Sequence, residues 1–95
     1  MNAALVTGGG SGIGKACVQR LAREGWQVVV ADINQEAAEV VAKELRNEGH
    51  TAIAVVMDVT DEQSVETGFE RMVQEFGSCD LVFSNAGIQV VHPYE

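Results

Sequence analysis

Short apolar runs alternate along this chain with longer segments in which apolar residues recur every three or four positions. Apolar residues follow one another in the short runs without a polar alternate, which is typical of strands buried on both faces. The predicted strands are 3–7, 27–31, 51–57 and 79–84. The predicted helices lie over 12–24, from Asn34 to Gly49 and from Thr60 to Phe76. The order of elements is therefore βαβαβαβ.

Side chains at the helix starts support these bounds. Asn34 is a cap residue for the second helix. Thr60 and Gln63 stand three residues apart, which predicts a capping box at the start of the third helix. Gly68 lies inside that helix, where glycine costs about 1 kcal/mol relative to alanine. We therefore expect a close packing contact at Gly68.

Short connections between alternating strands and helices favour the α/β class, with a doubly wound parallel sheet. Right-handed crossovers predict the strand order 3-2-1-4. The fourth strand is then an edge, and this chain offers nothing to cover it. Because an uncovered apolar edge strand is an aggregation hazard, we expect the 95 residues to be part of a longer domain.

Composition argues against several classes of partner. Six basic and fourteen acidic residues give a net charge of −8, which repels nucleic acid and anionic membranes. No stretch approaches the ~20 apolar residues of a membrane helix, and no signal peptide is recognised, so we expect a cytoplasmic protein. The two cysteines match no metal-ligand spacing and are expected to be reduced. Residues assigned to core packing are Cys17, Phe69, Met72, Phe76 and Cys79.

A glycine-rich stretch, VTGGGSGIG at 6–14, joins the first strand to the first helix. It lies at the carboxyl edge of the sheet, where open α/β sheets bind ligands. Glycine permits close approach of the backbone, and the first amides of a helix, together with its dipole, attract anions. The stretch is therefore predicted to hold a phosphate or pyrophosphate rather than to act as a flexible spacer.

Two well-known glycine fingerprints do not match this stretch. The Walker pattern fits from Gly9 to Lys15, but Ala16 replaces the hydroxyl residue that would ligate magnesium. The pattern G-x-G-x-x-G, begun at Gly8, has Ile13 in its last place. The pattern that fits is T-G-x-x-x-G-x-G, with Thr7, Gly8, Gly12 and Gly14.

Small or acidic residues also follow each of the next three strands. They are Asp32, Asp58-Val59 and Asn85-Ala86-Gly87. Together with the glycine pattern, they make the whole chain resemble the classical type of the short-chain dehydrogenase/reductase family. The resemblance implies that residues 1–95 are the N-terminal part, about half, of a single NAD-binding Rossmann domain. The catalytic half of that domain would follow these residues.

The resemblance implies a nicotinamide dinucleotide cofactor, with NAD preferred over NADP. Asp32 would accept bonds from the adenosine ribose hydroxyls and repel the 2′-phosphate of NADP, and neither Ser11 nor Ile33 carries a positive charge. A solvated turn residue is the alternative for Asp32. The implied cofactor-binding residues are Gly8, Gly10, Ser11, Gly12, Ile13, Gly14, Asp32, Ile33, Asp58, Val59, Asn85, Ala86 and Gly87.

Residues after the third and fourth strands have implied roles with open alternatives. The Asp58 side chain and the Val59 amide would contact adenine, and the alternative for Asp58 is to form a turn or cap a helix. The segment 85–87 would steady the sheet beside the cofactor ribose, and the alternative is a plain turn. Gln89, in NAGIQ, resembles a substrate-carboxylate contact of bacterial 3-hydroxybutyrate dehydrogenases, and the alternative is an ordinary loop residue.

The catalytic residues that the family uses are not found in this sequence. The family relies on a serine and on Y-x-x-x-K, but Tyr94 is the only tyrosine and is followed by Glu95 alone. No role is assigned to His92 or Tyr94, and the chain alone is expected to be inactive. The complete protein is expected to be an NAD-dependent oxidoreductase that interconverts secondary alcohols and ketones as a homo-oligomer, a dimer or tetramer. The alternative is a stand-alone, non-catalytic dinucleotide-binding module.

Overall fold

A computed structural model of the chain describes residues 2–10 and 12–84 with their side chains, and residues 87–90 as backbone. The predicted helices and strands all form, with ends within two residues of the expected ones. The elements are β1 Ala3–Thr7, α1 Gly12–Arg23, β2 Gln27–Asp32, α2 Gln35–Asn47, β3 Ala52–Val56, α3 Glu62–Phe76, β4 Leu81–Ser84 and β5 Gly87–Val90.

The strands form one sheet in the order β3-β2-β1-β4-β5. The first four strands are parallel, so the predicted α/β fold and the order 3-2-1-4 are confirmed. The expectation that β4 is an uncovered edge is wrong, because β5 pairs with it antiparallel and Ser84 lies opposite Gly87. The run GIQV is short and interrupted by glutamine, so its sequence did not indicate a strand. Gly87 consequently belongs to β5 rather than to a turn.

Alternate residues of the strands supply two separate cores. Val28 and Val30 belong to the cluster covered by α1 and α2, whereas Val29 and Ala31 belong to the cluster covered by α3. All four side chains are fully buried. This two-sided burial is why β2 has no polar alternate in its sequence.

The residues assigned to core packing occupy these two clusters. Met72 and Cys79 are buried in the cluster under α3, and Phe69 and Phe76 pack against it. Cys17 packs against the other cluster. Both cysteines are free thiols. Burial raises the pKa of the Cys17 thiol. Burial is also the larger cause that raises the pKa of the Cys79 thiol, and the negative charge of Asp80 is the smaller cause. Neither is therefore an activated nucleophile.

The helix starts confirm one predicted cap and correct the other. Asn34 caps α2, since its side chain accepts from the Ala37 amide at 3.1 Å. Asp61, not Thr60, caps α3, since its side chain accepts from the Gln63 amide at 3.0 Å. Thr60 lies one residue before this cap, and its hydroxyl is directed toward a neighbouring carboxylate, to which it donates.

Within 2–10, 12–84 and 87–90, no helix combines the length and the apolar character that a membrane crossing requires. In the same part of the chain, no group of three or more histidine, cysteine, aspartate or glutamate side chains could hold a metal ion.

Candidate functional site

A cleft of about 460 Å³ opens at the carboxyl edge of the sheet, between the ends of the four parallel strands. Its lining combines residues that end or follow β1 and β2, residues that follow β3, and the last residue of β4. The lining residues are Thr7, Gly8, Asp32, Ile33, Met57, Asp58, Val59, Thr60 and Ser84. Residues far apart in the sequence therefore meet in one cleft, as the parallel order of the strands requires.

The glycine stretch forms a tight turn between β1 and α1. Gly8 has φ +67°, a conformation that favours glycine. Gly14, in the first turn of α1, packs directly against that turn. A Cβ atom at Gly14 would overlap the Gly8 carbonyl oxygen and lie 2.6 Å from its carbonyl carbon. Any larger residue at position 14 would therefore separate α1 from the turn.

The start of α1 is suited to an anion. The helix begins at Gly12 and has no acidic residue in its first turn. The first amides of a helix have no partner within the helix, and they lie at the positive end of its dipole. A Cβ atom at Gly12 would meet no atom of the described residues beyond its chain neighbours within 4 Å, so among these residues the space beside Gly12 is open.

Asp32 ends β2, and its carboxylate accepts two backbone bonds. Oδ2 accepts from the Gly10 amide at 3.0 Å, and Oδ1 accepts from the Asn34 amide at 2.9 Å. A carboxylate has about four acceptor positions, so these two bonds leave capacity for ligand hydroxyls. The turn-forming alternative for Asp32 and its proposed ribose contact are therefore compatible.

Asp58, just after β3, is held in a compact turn. Its Oδ1 accepts from the Thr60 hydroxyl at 2.6 Å and from the Thr60 amide at 2.9 Å. These two bonds, the side-chain bond first, lower the pKa of the Asp58 carboxyl below its usual value. The Asp58 amide donates to the Ser64 hydroxyl at 2.9 Å. Asp58 thus has the turn-forming role that the sequence left open, with acceptor capacity remaining.

Exposed apolar side chains stand at the same edge of the sheet. Ile33 and Val59, which line the cleft, are 68% and 60% exposed. Ile13, in the first turn of α1, is 75% exposed. Large apolar side chains at this exposure can cover the flat apolar faces of a ligand.

Several cleft residues were not assigned to the site from the sequence. Thr7 was assigned only to the glycine pattern, and Thr60 was assigned only to a helix cap. Met57 and Ser84 were assigned only as the last residues of predicted strands. Their common signal is position, because each lies at or just beyond the carboxyl end of a parallel strand.

Some predicted site residues lie wholly or partly outside the described residues. Ser11, Asn85 and Ala86 lie outside them, as do His92 and Tyr94. Gly87 and Gln89 are described as backbone of β5, in which Gln89 is opposite Val82. Gln89 is therefore a strand residue, which corrects the loop alternative.

A parallel sheet in this order, with a glycine turn before α1 and a carboxylate at the end of β2, defines a Rossmann-type fold. A family model described as short chain dehydrogenase matches residues 2–95. This chain belongs to the short-chain dehydrogenase family, and the resemblance found in the sequence is confirmed.

Known proteins of this family are similar in sequence and in structure. Cis-4-hydroxycyclohexanecarboxylate dehydrogenase of Sinomonas cyclohexanicum is 49% identical over 85 residues, which cover 90% of this chain and 34% of that protein. A hydroxysteroid dehydrogenase from Escherichia coli superposes with a TM-score of 0.85 at 35% identity, covering 87% of this chain and 35% of that one.

A third similar protein was solved with a cofactor. The 3-ketoacyl-(acyl-carrier-protein) reductase from Brucella melitensis, complexed with NADH, gives a TM-score of 0.80 at 37% identity. The match covers 85% of this chain and 32% of that one. This chain therefore spans about a third of the length of these three proteins, rather than the half expected from the sequence.

Proposed function

We propose that this chain is the NAD-binding part of an oxidoreductase that interconverts a secondary alcohol and a ketone. The observation that carries the proposal is the meeting of the glycine turn and Asp32 in one cleft of a short-chain dehydrogenase fold. NAD, when bound, would supply the hydride acceptor. No residue of this chain is assigned a catalytic role.

The residues around the cleft fit a dinucleotide. Open space in front of Gly12 and the amides at the start of α1 suit the pyrophosphate. The carboxylate of Asp32 suits the adenosine ribose, since it can accept from two hydroxyls. Asp58 and Val59 would contact adenine. The other residues proposed for cofactor binding are Gly8, Gly10, Ser11, Ile13, Gly14, Ile33, Asn85, Ala86 and Gly87.

Charge around Asp32 favours NAD over NADP. Asp32 would repel a 2′-phosphate, and Ser11 and Ile33 offer no compensating charge. Lys15 borders the neighbouring groove, but its ammonium lies 3.9 Å from the Glu44 carboxylate. That acidic neighbour reduces the attraction that Lys15 would exert on a phosphate.

The experiment that tests this proposal is a titration of the complete natural protein with NAD and with NADP. Asp32→Ala should weaken NAD binding by about 10- to 100-fold, because hydrogen bonds to charged groups contribute about 1.5–3 kcal/mol. Glu39→Ala is the matched control, since it removes an exposed acidic side chain of α2 that does not line the cleft. Equal NAD affinity in the wild type and Asp32→Ala would refute the ribose contact.

A stand-alone dinucleotide-binding module is the second candidate. The antiparallel pairing of β5 with β4 favours it, because that pairing covers the edge of β4 that argued for a longer domain. The intact mass and the sequence of the natural protein separate the two candidates. A mass near 10.1 kDa with NAD binding would support the module, whereas a larger mass with a serine and Y-x-x-x-K would support the oxidoreductase.

Further properties follow from the oxidoreductase proposal. We propose that the complete protein is a cytoplasmic homo-oligomer with no nucleic-acid or membrane partner. Gln89 is proposed as a contact of its alcohol or ketone substrate. The 95-residue chain alone should form no NADH from secondary alcohols, and NADH formation by the pure chain would contradict this.

A further inference from the structure

We propose that Asp32 is also a positioning residue, whose carboxylate holds the glycine turn against the end of β2 in the ligand-free protein. The importance of this role for binding rests on the proposed function. The contact itself involves protein atoms only, so it can be tested without any cofactor.

Two successive amides attach the turn to β2. The Gly9 amide donates to the Ala31 carbonyl oxygen at 3.0 Å, a bond between backbone atoms. The Gly10 amide donates to Asp32 Oδ2 at 3.0 Å. One attachment therefore depends on the backbone alone, and the other depends on a side chain 22 residues away in the sequence.

The second oxygen of the same carboxylate is also fixed. Asp32 Oδ1 accepts from the amide of Asn34, the residue that caps α2. The carboxylate therefore bridges the glycine turn and the start of α2. Since both oxygens are engaged, rotation of the side chain would break two charge-assisted hydrogen bonds, which are stronger than neutral ones.

Packing at Gly10 supports the same role. A Cβ atom at Gly10 would lie 2.7 Å from the Ala37 Cβ atom and 2.9 Å from Asp32 Oδ2. The turn thus lies directly against both the carboxylate and the first turn of α2. Glycine at position 10 is needed for this contact, independently of any ligand.

The consequence concerns the free energy of ligand binding. A turn that already holds its shape loses less conformational freedom when it binds an anion, so binding costs less free energy. Asp32 would then contribute to affinity in two separable ways, by a direct ribose contact and by fixing the turn.

Amide hydrogen exchange in the ligand-free natural protein tests the positioning role, because exchange reports local opening. Loss of the carboxylate in Asp32→Ala should raise the exchange rate of the Gly10 amide relative to that of Gly9 by roughly tenfold or more. Gly9 is an internal control, since its amide bonds to a backbone carbonyl and responds equally to global unfolding.

A second variant keeps the test decisive if Asp32→Ala loses stability. Asp32→Asn retains the size of the side chain and one acceptor oxygen, so the ratio of Gly10 to Gly9 exchange should rise less than in Asp32→Ala. Glu39→Ala should leave this ratio unchanged. An unchanged ratio in both Asp32 variants, or an unprotected Gly10 amide in the wild type, would overturn the proposal.

The positioning role and the cofactor role can fail separately. Exchange is measured without ligand, whereas the NAD titration measures binding. A raised Gly10 exchange rate with unchanged NAD affinity would retain the positioning contact in the ligand-free protein, but it would reject the ribose contact and the contribution of the fixed turn to affinity. Weakened NAD binding with an unchanged Gly10 exchange rate would retain the ribose contact and reject the positioning role.

Discussion

The methyl group of Met57 occupies the space in which a side chain at position 68 would begin. Met57 follows β3 and is 3% exposed, and Gly68 is buried in α3. The contact lets α3 approach the sheet closely, as the glycine inside the helix predicted. Met57 also lines the cleft, so the packing of α3 supports one of its walls.

Gly68→Ala should destabilise the protein despite the higher helix propensity of alanine. Alanine gains about 1 kcal/mol in a helix. The atom that must move aside is the end of a flexible side chain, but Met57 is 3% exposed, so overpacking this buried contact costs about 1–3 kcal/mol. We expect a net loss of up to about 2 kcal/mol in the free energy of unfolding, measured by urea denaturation.

The control for this prediction is the same substitution in a Met57→Leu background. Leucine is similar in volume to methionine but has no atom equivalent to the Cε that meets position 68. Gly68→Ala should then become neutral or stabilising. An equal loss of stability in both backgrounds would show that the Met57 contact is not the cause.

Gly14→Ala should be more damaging than Gly12→Ala, although both glycines belong to one sequence pattern. A Cβ atom at Gly14 would meet backbone atoms of Gly8 and Gly9, which cannot rotate away. We expect a loss of about 3 kcal/mol in the free energy of unfolding. At Gly12 the Cβ atom would be in open space, and only the φ of +59° is unfavourable, at about 1–2 kcal/mol. Urea denaturation should give this order, and the reverse order would contradict the packing argument.

The parallel core of the sheet could be predicted because burial on both faces leaves a local signal. The run from Val28 to Ala31 contains only apolar residues, and each side chain is buried against one of the two helical layers. The pairing of β5 could not be predicted in this way. It depends on the register between the Gly87–Val90 backbone and β4, and that register is not encoded by an apolar run.

Details of the site escaped prediction where they depend on competition between neighbouring polar groups. Thr60 has a side chain suited to a helix cap, but its hydroxyl is directed toward the Asp58 carboxylate, to which it donates a hydrogen bond, and Asp61 caps α3 instead. The bond between Gly10 and Asp32 depends on the path of the turn in space. The family resemblance predicted that both residues bind the cofactor, but it did not predict that they contact each other.

Thr60→Val should raise the pKa of the Asp58 carboxyl. The hydrogen bond from the Thr60 hydroxyl is the larger of the two causes that lower this pKa below its ordinary value of 3.8. The hydrogen bond from the backbone amide of residue 60 would remain in the variant. The pKa should therefore move part of the way back, as followed by NMR titration of the carboxyl carbon. Thr67→Val is the control, because the Thr67 hydroxyl donates to the Gln63 carbonyl oxygen and not to Asp58.

The sign of the corresponding pH effect follows from the direction of this shift. A carboxyl whose pKa is lowered on folding stabilises the folded state above its unfolded pKa, and this contribution is lost as the pH falls through the folded pKa. The Asp58 contribution should therefore be lost below the ordinary value of 3.8, and Thr60→Val should reduce it. An identical Asp58 pKa in the wild type and Thr60→Val would contradict the assignment of its cause.

Ser64→Ala should weaken binding of the adenine end of the cofactor, although Ser64 is not proposed to contact the cofactor. The Ser64 hydroxyl accepts from the Asp58 amide at 2.9 Å, and Asp58 with Val59 is proposed to contact adenine. Removal of this acceptor frees the turn that presents both residues. A neutral hydrogen bond contributes about 0.5–1.5 kcal/mol, so the affinity of the complete protein for AMP should fall by about 2- to 12-fold in calorimetric titration.

Thr67→Ala is the matched control for this effect, because Thr67 lies on the same helix and its hydroxyl donates to the Gln63 carbonyl oxygen within α3. It should leave the affinity for AMP unchanged. Nicotinamide mononucleotide lacks adenine, so its affinity should be the same in the wild type and in Ser64→Ala. A comparable loss of affinity for AMP and for nicotinamide mononucleotide would show that Ser64→Ala destabilises the whole cleft. A loss confined to AMP would instead establish that Ser64 acts through the Asp58 turn.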